Sequence, residues 1–366
     1  MENFVYNANA GRVIFGSGTI SCLGEEVERL GAKCVLVLST PGQAQQAEFL
    51  ARHLGSRVVG LYSRAEMHTP VEVTLDALRA VERLGADALV SIGGGSTTGL
   101  GKAIAYRTDL PQIVVPTTYA GSEATPILGE TEGGRKATKS DPRILPEVII
   151  YDVDLTLSLP VPLSVTSGIN AIAHAVEALY AREANPIISM MAEEGIAAIA
   201  RALPLIYADT KDRAARADAL YGAWLCGVCL GSVGMALHHK LCHTLGGMFN
   251  LPHAPMHTVV LPHAVAYNRQ AAPDAMVRIG RALGGGEPAA ALYDLSRRLG
   301  AVMSLKDLGM PENGVIDAVE QAMSNAYWNP RDLQKDALGE LLERAYRGDA
   351  PTAPRTTSCI SSEGRT

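Results

Sequence analysis

No apolar run in this chain approaches the roughly 20 residues that a helix needs to cross a bilayer. The opening Met1-Glu2-Asn3-Phe4 has neither the basic start nor the apolar stretch of an export signal, so the expected location is the cytoplasm, away from any membrane. Basic charge is scarce: 32 Lys and Arg against 38 Asp and Glu give a net charge of −6, which argues against the positive surface that a nucleic-acid partner requires. Cysteine is sparse, with six residues scattered over 366, which excludes the disulfide framework of a small secreted domain and leaves reduced thiols as the expectation. Cys226 and Cys229 do form a C-x-x-C, but inside an apolar stretch with no second pair, and they read as buried structural thiols. A G-x-G-x-x-G fingerprint is missing too: the first strand runs out into Leu38-Ser39-Thr40-Pro41-Gly42.

What the chain has is apolar bulk. With 47% hydrophobic and 19% charged residues it can bury a large core, and its length exceeds what one core usually supports, so two domains are expected. Val5–Tyr6 and Arg12–Phe15 suggest a short hairpin. Cys34–Leu38, Val58–Tyr62, Ala88–Ile92, Ile113–Val115 and Val148–Tyr151 read as strands, with helix-period runs at Ala44–Leu54 and Val71–Leu84 between them. That alternation predicts an α/β domain with a mostly parallel sheet over residues 1–157. After the prolines at 160 and 162 the strand signals fade. Helices are expected at Val165–Tyr180, Pro186–Tyr207, Lys211–Gly231, Ala236–Phe249, Asp274–Ala282, Pro288–Leu299 and Glu312–Met323, making an all-α domain over 158–350. The polar, proline-containing residues 351–366 read as a disordered tail.

The run Ser91-Ile92-Gly93-Gly94-Gly95-Ser96 follows a buried-strand signal and leads toward a helical run at Lys102–Tyr106. Glycines there let the backbone approach a pyrophosphate, and the free amides of a helix start favour its charge. A glycine triplet alone is explained equally well by a tight turn. A second loop, Pro116-Thr117-Thr118-Tyr119-Ala120-Gly121-Ser122-Glu123, also follows a strand and supplies hydroxyls, so two strand-end loops point to one nucleotide at the carboxyl edge of the sheet. The candidate contacts are Ser39, Gly93, Gly94, Gly95, Ser96, Thr117, Thr118, Tyr119 and Ser122.

Five of nine histidines fall within twenty residues: His238, His239, His243, His253 and His257. His239 and His243 lie four apart, as do Asn170 and His174, so each pair shares one helix face. So many titratable groups among apolar residues call for a polar site to satisfy them, whereas His53, His68 and His263 read as ordinary structural histidines. Three histidines with a carboxylate would suggest zinc or ferrous iron, but Asn170 is neutral and a poor ligand.

Taken together, Gly93–Ser96 (GGGS), Pro116–Glu123 (PTTYAGSE), Ser167–Tyr180 (SGINAIAHAVEALY) and His238–Ala254 (HHKLCHTLGGMFNLPHA) resemble the iron-type alcohol dehydrogenase superfamily, of the dehydroquinate synthase-like fold. The resemblance runs from about residue 3 to 348. It implies an N-terminal nucleotide domain, a helical C-terminal domain and, in most members, a metal held by one aspartate and three histidines. The matching positions here are Asn170, His174, His239 and His253, with His243 matching a further histidine near the nicotinamide. Asn170 replaces the aspartate, and Gly99 replaces an acidic residue usual in the GGGS helix. Both departures, with ALYGAWLCG (219–227) and Ala326-Tyr327-Trp328-Asn329-Pro330-Arg331, resemble the maleylacetate-reducing branch of the family.

That branch implies reduction of the carbon–carbon double bond of maleylacetate, and of halogenated maleylacetates, to 3-oxoadipates in the breakdown of aromatic compounds. The resemblance implies catalytic roles for His243 and His253 in proton donation or enolate stabilisation. His174, His239 and Lys240 would bind the dicarboxylate, and Asn170 would donate a hydrogen bond. The expected cofactor is NADH or NADPH, because Ser39 and Thr40 stand where an acidic residue would repel a 2′-phosphate. No metal is expected, and a homodimer is. The alternatives are a metal-dependent alcohol or aldehyde dehydrogenase of the same fold and a non-catalytic nucleotide-binding protein.

Overall fold

Strands whose consecutive residues are all apolar must be covered on both faces, and this sheet is built that way. The computed structural model describes residues 3–9, 11–133 and 135–352. In chain order the strands are β1 (Arg12–Gly16), β2 (Val35–Leu38), β3 (Val58–Tyr62), β4 (Ala88–Gly93), β5 (Gln112–Pro116), β6 (Ile127–Glu132), β7 (Arg135–Ser140) and β8 (Val148–Asp152). Six of them form a wholly parallel sheet in the order β1-β8-β5-β4-β2-β3, and β6 and β7 form a separate antiparallel hairpin. Alternate residues of β2 serve opposite faces. Val35 and Val37 pack with Leu23 and Val27 of α1 (Leu23–Arg29) and Leu50 of α2 (Ala44–Leu54). Leu36 and Leu38 pack with Ala77 and Val81 of α3 (Val71–Leu84) and Leu100 and Ile104 of α4 (Gly95–Thr108). Each such Val, Leu or Ile side chain contributes about 1.5–3 kcal/mol by leaving water.

The expected N-terminal hairpin does not form. Residues 3–9 are not in a strand, and β1 instead pairs in parallel with β8, Phe15 opposite Tyr151. A short β-branched run specifies extended backbone but not its partner. The tail expected at 351–366 lies, from residue 353 on, outside the described residues.

From Val161 every described element is a helix: α5 (Val161–Leu179), α6 (Pro186–Ala208), α7 (Arg213–Ser232), α8 (Leu237–Phe249), α9 (His253–Asn268), α10 (Pro273–Ala282), α11 (Pro288–Arg298), α12 (Gly314–Ser324) and α13 (Lys335–Arg347). Asn185 starts α6 by accepting from the amides of Ile187 and Ile188, with Pro186 at the first helical position. Tyr119, in the loop after β5, and Ile149 and Tyr151 of β8 share one core with α5, α6 and α7. Arg216 of α7 is fully buried and rivets that junction, donating to Tyr119 Oη (3.0 Å), Ser164 Oγ (2.8 Å) and the Leu159 and Thr210 carbonyls. Among the described residues no single helix is long and apolar enough to cross a membrane.

Candidate active site

Because the six strands run the same way, β2, β4 and β5 end at one edge and deliver Ser39, Gly93 and Thr117 there. Thr117 N donates to Gly93 O (2.9 Å), Gln43 Nε2 to Thr117 Oγ1 (2.9 Å) and Thr40 Oγ1 to Gln43 Oε1 (3.0 Å), so the three strand ends form one hydrogen-bonded rim. Gly93 has φ +149°, and a Cβ there would come within 2.6 Å of Gln43 and Thr97; on Gly94 it would meet Thr118 at 2.9 Å. Helix α4 starts at Gly95 with no side-chain cap. The hydroxyls of Thr97 and Ser122 are buried without a protein partner. An uncapped helix start, a bare glycine loop and two unclaimed hydroxyls fit a pyrophosphate. Ser96 and Thr118 are half-buried on the same rim.

Two of the sequence-derived cofactor contacts are turned away. Ser39 is fully buried and its hydroxyl is bonded to Ser63 (2.9 Å); Tyr119 is fully buried, with its hydroxyl on Arg216. Both serve packing: Ser39 directly follows β2 and inherits its buried face, and Tyr119, three residues past β5, is drawn into the core by Arg216. Gln43, which closes the rim, carried no sequence signal. Lys102 was also passed over: buried on α4, it donates through Nζ to the carbonyls of Ser122, Thr125 and Ile127 and to Thr125 Oγ1, tying the glycine loop to the second loop. Burial lowers its pKa to about 7.

The second loop leads straight to the histidines. On α5, Asn170, His174 and Glu177 lie on one face of a helix buried from Ser164 to Leu179. His174 Nε2 is 3.3 Å from the Ala120 carbonyl and 3.5 Å from Asn170 Nδ2, and its Nδ1 is 2.9 Å from His239 Nε2 on α8. His239 Nδ1 is in turn 2.7 Å from Glu177 Oε2. The Glu177 carboxylate also accepts from the amides of Ala236 (2.8 Å) and His238 (2.6 Å), where the start of α8 favours negative charge. When His239 Nδ1 donates to Glu177, His239 Nε2 accepts from His174 Nδ1, and His174 Nε2 accepts from Asn170. A proton gained at His174 Nε2 from outside the chain, with the Nδ1 protons handed on toward Glu177, turns that nitrogen into a donor toward Ala120. Burial, then the charge of His239, holds the pKa of His174 well below its usual value, so it supplies hydrogen bonds rather than charge.

His243 lies one turn beyond His239 and is half-buried, with Nδ1 2.9 Å from Tyr327 Oη. The Lys240 ammonium lies 5.6 Å from the centroid of the Tyr327 ring, and burial lowers its pKa. His253 opens α9, its ring 4.3 Å from that of His257. The structure thus assembles Asn170, His174, His239, His243 and Lys240, with His253 reached from His239 through His257. Sequence reasoning missed Glu177 and Tyr327. Glu177 was legible, being seven residues after Asn170 on the same face; Tyr327 is distant in sequence and gave no spacing.

A family model for iron-containing alcohol dehydrogenases matches residues 10–153, and one for the C-terminal part of the Fe-containing alcohol dehydrogenase family matches residues 164–346. A maleylacetate reductase from Sphingobium indicum is 57% identical over 349 residues, 95% of this chain and 99% of its own. Among solved structures, a maleylacetate reductase from Agrobacterium tumefaciens superimposes with a TM-score of 0.92 at 55% identity, covering 96% of this chain and 100% of that one. An iron-containing alcohol dehydrogenase from Corynebacterium glutamicum gives a TM-score of 0.92 at 41% identity, covering 97% and 100%.

Of the positions matching the family's metal ligands, the fourth offers only the neutral amide oxygen of Asn170, buried without a partner, which makes the set a poor one for a transition-metal ion. On both the matched models and the full-length relatives, the chain belongs to the iron-containing alcohol dehydrogenase family.

Proposed function

We propose that this enzyme is an NAD(P)H-dependent maleylacetate reductase that works without a metal. The observation that carries the reading is the Glu177–His239–His174–Asn170 chain, which puts oriented hydrogen-bonding groups where the family places a cation. Reduction at the alkene carbon conjugated with a ketone develops a delocalised enolate, and hydrogen-bond donors stabilise an enolate where a simple carbonyl would want a Lewis acid. The reduced nicotinamide supplies the hydride. Gly93, Gly94, Gly95 and Ser96 hold the pyrophosphate at the start of α4, with Thr117, Thr118 and Ser122 beside it.

His243, steadied by Tyr327, donates the proton to carbon, and His253 stabilises the enolate oxygen. Lys240 binds a substrate carboxylate, and Asn170 donates a hydrogen bond from Nδ2. His174 and His239 orient these groups through Glu177. Residues 1–157 form the nucleotide domain and 158–350 the substrate domain, in a cytoplasmic homodimer that sedimentation and cell fractionation would check. The main experiment is oxidation of NADH and NADPH with freshly generated maleylacetate, before and after exhaustive chelation. Full turnover at a metal content well below one ion per chain supports the reading; turnover that vanishes with the metal and returns with zinc or iron overturns it.

A further inference from the structure

Behind the catalytic histidines lies a second group that the mechanism does not use. His238 and Cys242 are one turn apart on α8, and His257 faces them from α9. All three are buried, in a core built from Leu241, Leu245, Met256 and Val260. His238 Nε2 lies 2.9 Å from His257 Nδ1 and 3.8 Å from Cys242 Sγ, and one ligand atom from each residue falls within 4.8 Å of the other two. Among the described residues no other group of three His, Cys, Asp or Glu converges so closely. The remaining nitrogens, His238 Nδ1 and His257 Nε2, are buried with no hydrogen-bond partner.

We propose that His238, Cys242 and His257 form a binding site for a borderline-soft divalent cation of the zinc class, distinct from the position where the family carries its catalytic metal. Two imidazoles and a thiolate are a zinc ligand set, and a water completes four-coordination. On binding, Sγ–H loses its proton to solvent and the sulfur pair forms the metal bond; no oxidation state changes. The charges close, since a dication meets the Cys242 thiolate and the adjacent Glu177 carboxylate, which already accepts from His238 N. An ion bound there would sit behind the catalytic groups, so its presence alone would not imply Lewis-acid chemistry at Asn170.

The test uses the full chain, stripped with chelator and titrated with zinc alone, with bound metal measured after dialysis. One ion per chain is expected, and substitution with cobalt should give a thiolate-to-cobalt charge-transfer band. Cys242→Ser should abolish that band and weaken zinc binding by more than the roughly hundredfold typical of losing an outer-shell partner. His253→Ala should keep both band and zinc. The proposal is overturned if no ion binds, if the cobalt form of the unaltered protein lacks the band, or if zinc is lost in His253→Ala and kept in Cys242→Ser. The readouts are binding and absorbance, so their outcome is independent of whether maleylacetate is reduced.

Discussion

Asn170 sits one turn before His174 with Oδ1 buried and unpartnered, so a negative charge at that atom would have no donor except a cation. Asn170→Asp should therefore raise zinc affinity, measured in a Cys242→Ser background so that the other ligand group does not contribute. The same charge repels a dianionic substrate and a developing enolate, and kcat/KM for maleylacetate should fall by about tenfold or more, equivalent to ~1.4 kcal/mol. A variant that binds zinc and gains activity would show that the wild-type site is a weakened metal site. Glu177 acts at one remove. Glu177→Gln keeps the shape but replaces one acceptor oxygen with a donor against the amides of α8, and should lower kcat about 10- to 100-fold, as loss of a ligand's outer partner does, while leaving KM for NADH unchanged. If only the melting temperature moves, Glu177 is a cap for α8 and not part of the relay.

Helix α4 and its glycine loop carry the cofactor reading. A Cβ on Gly94 meets Thr118 at 2.9 Å and has to displace it, so Gly94→Ala should raise KM for NADH about tenfold, ~1.4 kcal/mol of binding, with kcat nearly unchanged. An unchanged KM would move the pyrophosphate away from this loop. Elements were legible where their apolar pattern had one period: α2, α3 and β3 match the expected Ala44–Leu54, Val71–Leu84 and Val58–Tyr62. Helix α9 was invisible because it is buried on every side from Met256 to Asn268 and contains Pro262, so no 3.6-residue alternation marks it, although it supplies His253 and His257. The hairpin β6–β7 escaped for the opposite reason: Glu130 occupies a buried position, held by Arg107 and Lys139, where an apolar residue would have shown the strand. Helix α13 did carry a stripe, at Ala337, Leu338, Leu341, Leu342 and Ala345, and could have been read. In the site the histidines were legible as a cluster, but which nitrogen faces which partner required the packing of α5 against α8.

At the scale of the whole molecule the chain is acidic, so affinity for a dicarboxylate has to come from local groups, with Lys240 the cation among the candidate site residues. The methyl ester of maleylacetate should lose most of the specific activity; equal turnover of ester and acid would make the enzyme a general enone reductase. No acidic side chain follows β2 at Ser39 and Thr40, so NADH and NADPH should have kcat/KM values within about a thousandfold, ~4 kcal/mol. A larger ratio would mean that another residue reads the ribose.

The strand order has a consequence for how the protein comes into being. Of the sheet's strands β1 is made first yet lies at the edge beside β8, with Arg12 opposite Val148, and Asp152, opposite Gly16 at the end of that pairing, accepts from the amides of Gly18 and Ile20. During synthesis the first strand emerges long before its neighbour, and β5 meanwhile shows an unpaired side to any other growing chain. Closing so long a loop late makes sheet completion slow and gives aggregation its opportunity. A nascent chain halted before residue 148 should stay protease-sensitive through β1, and release of the next few residues should protect it in a single step.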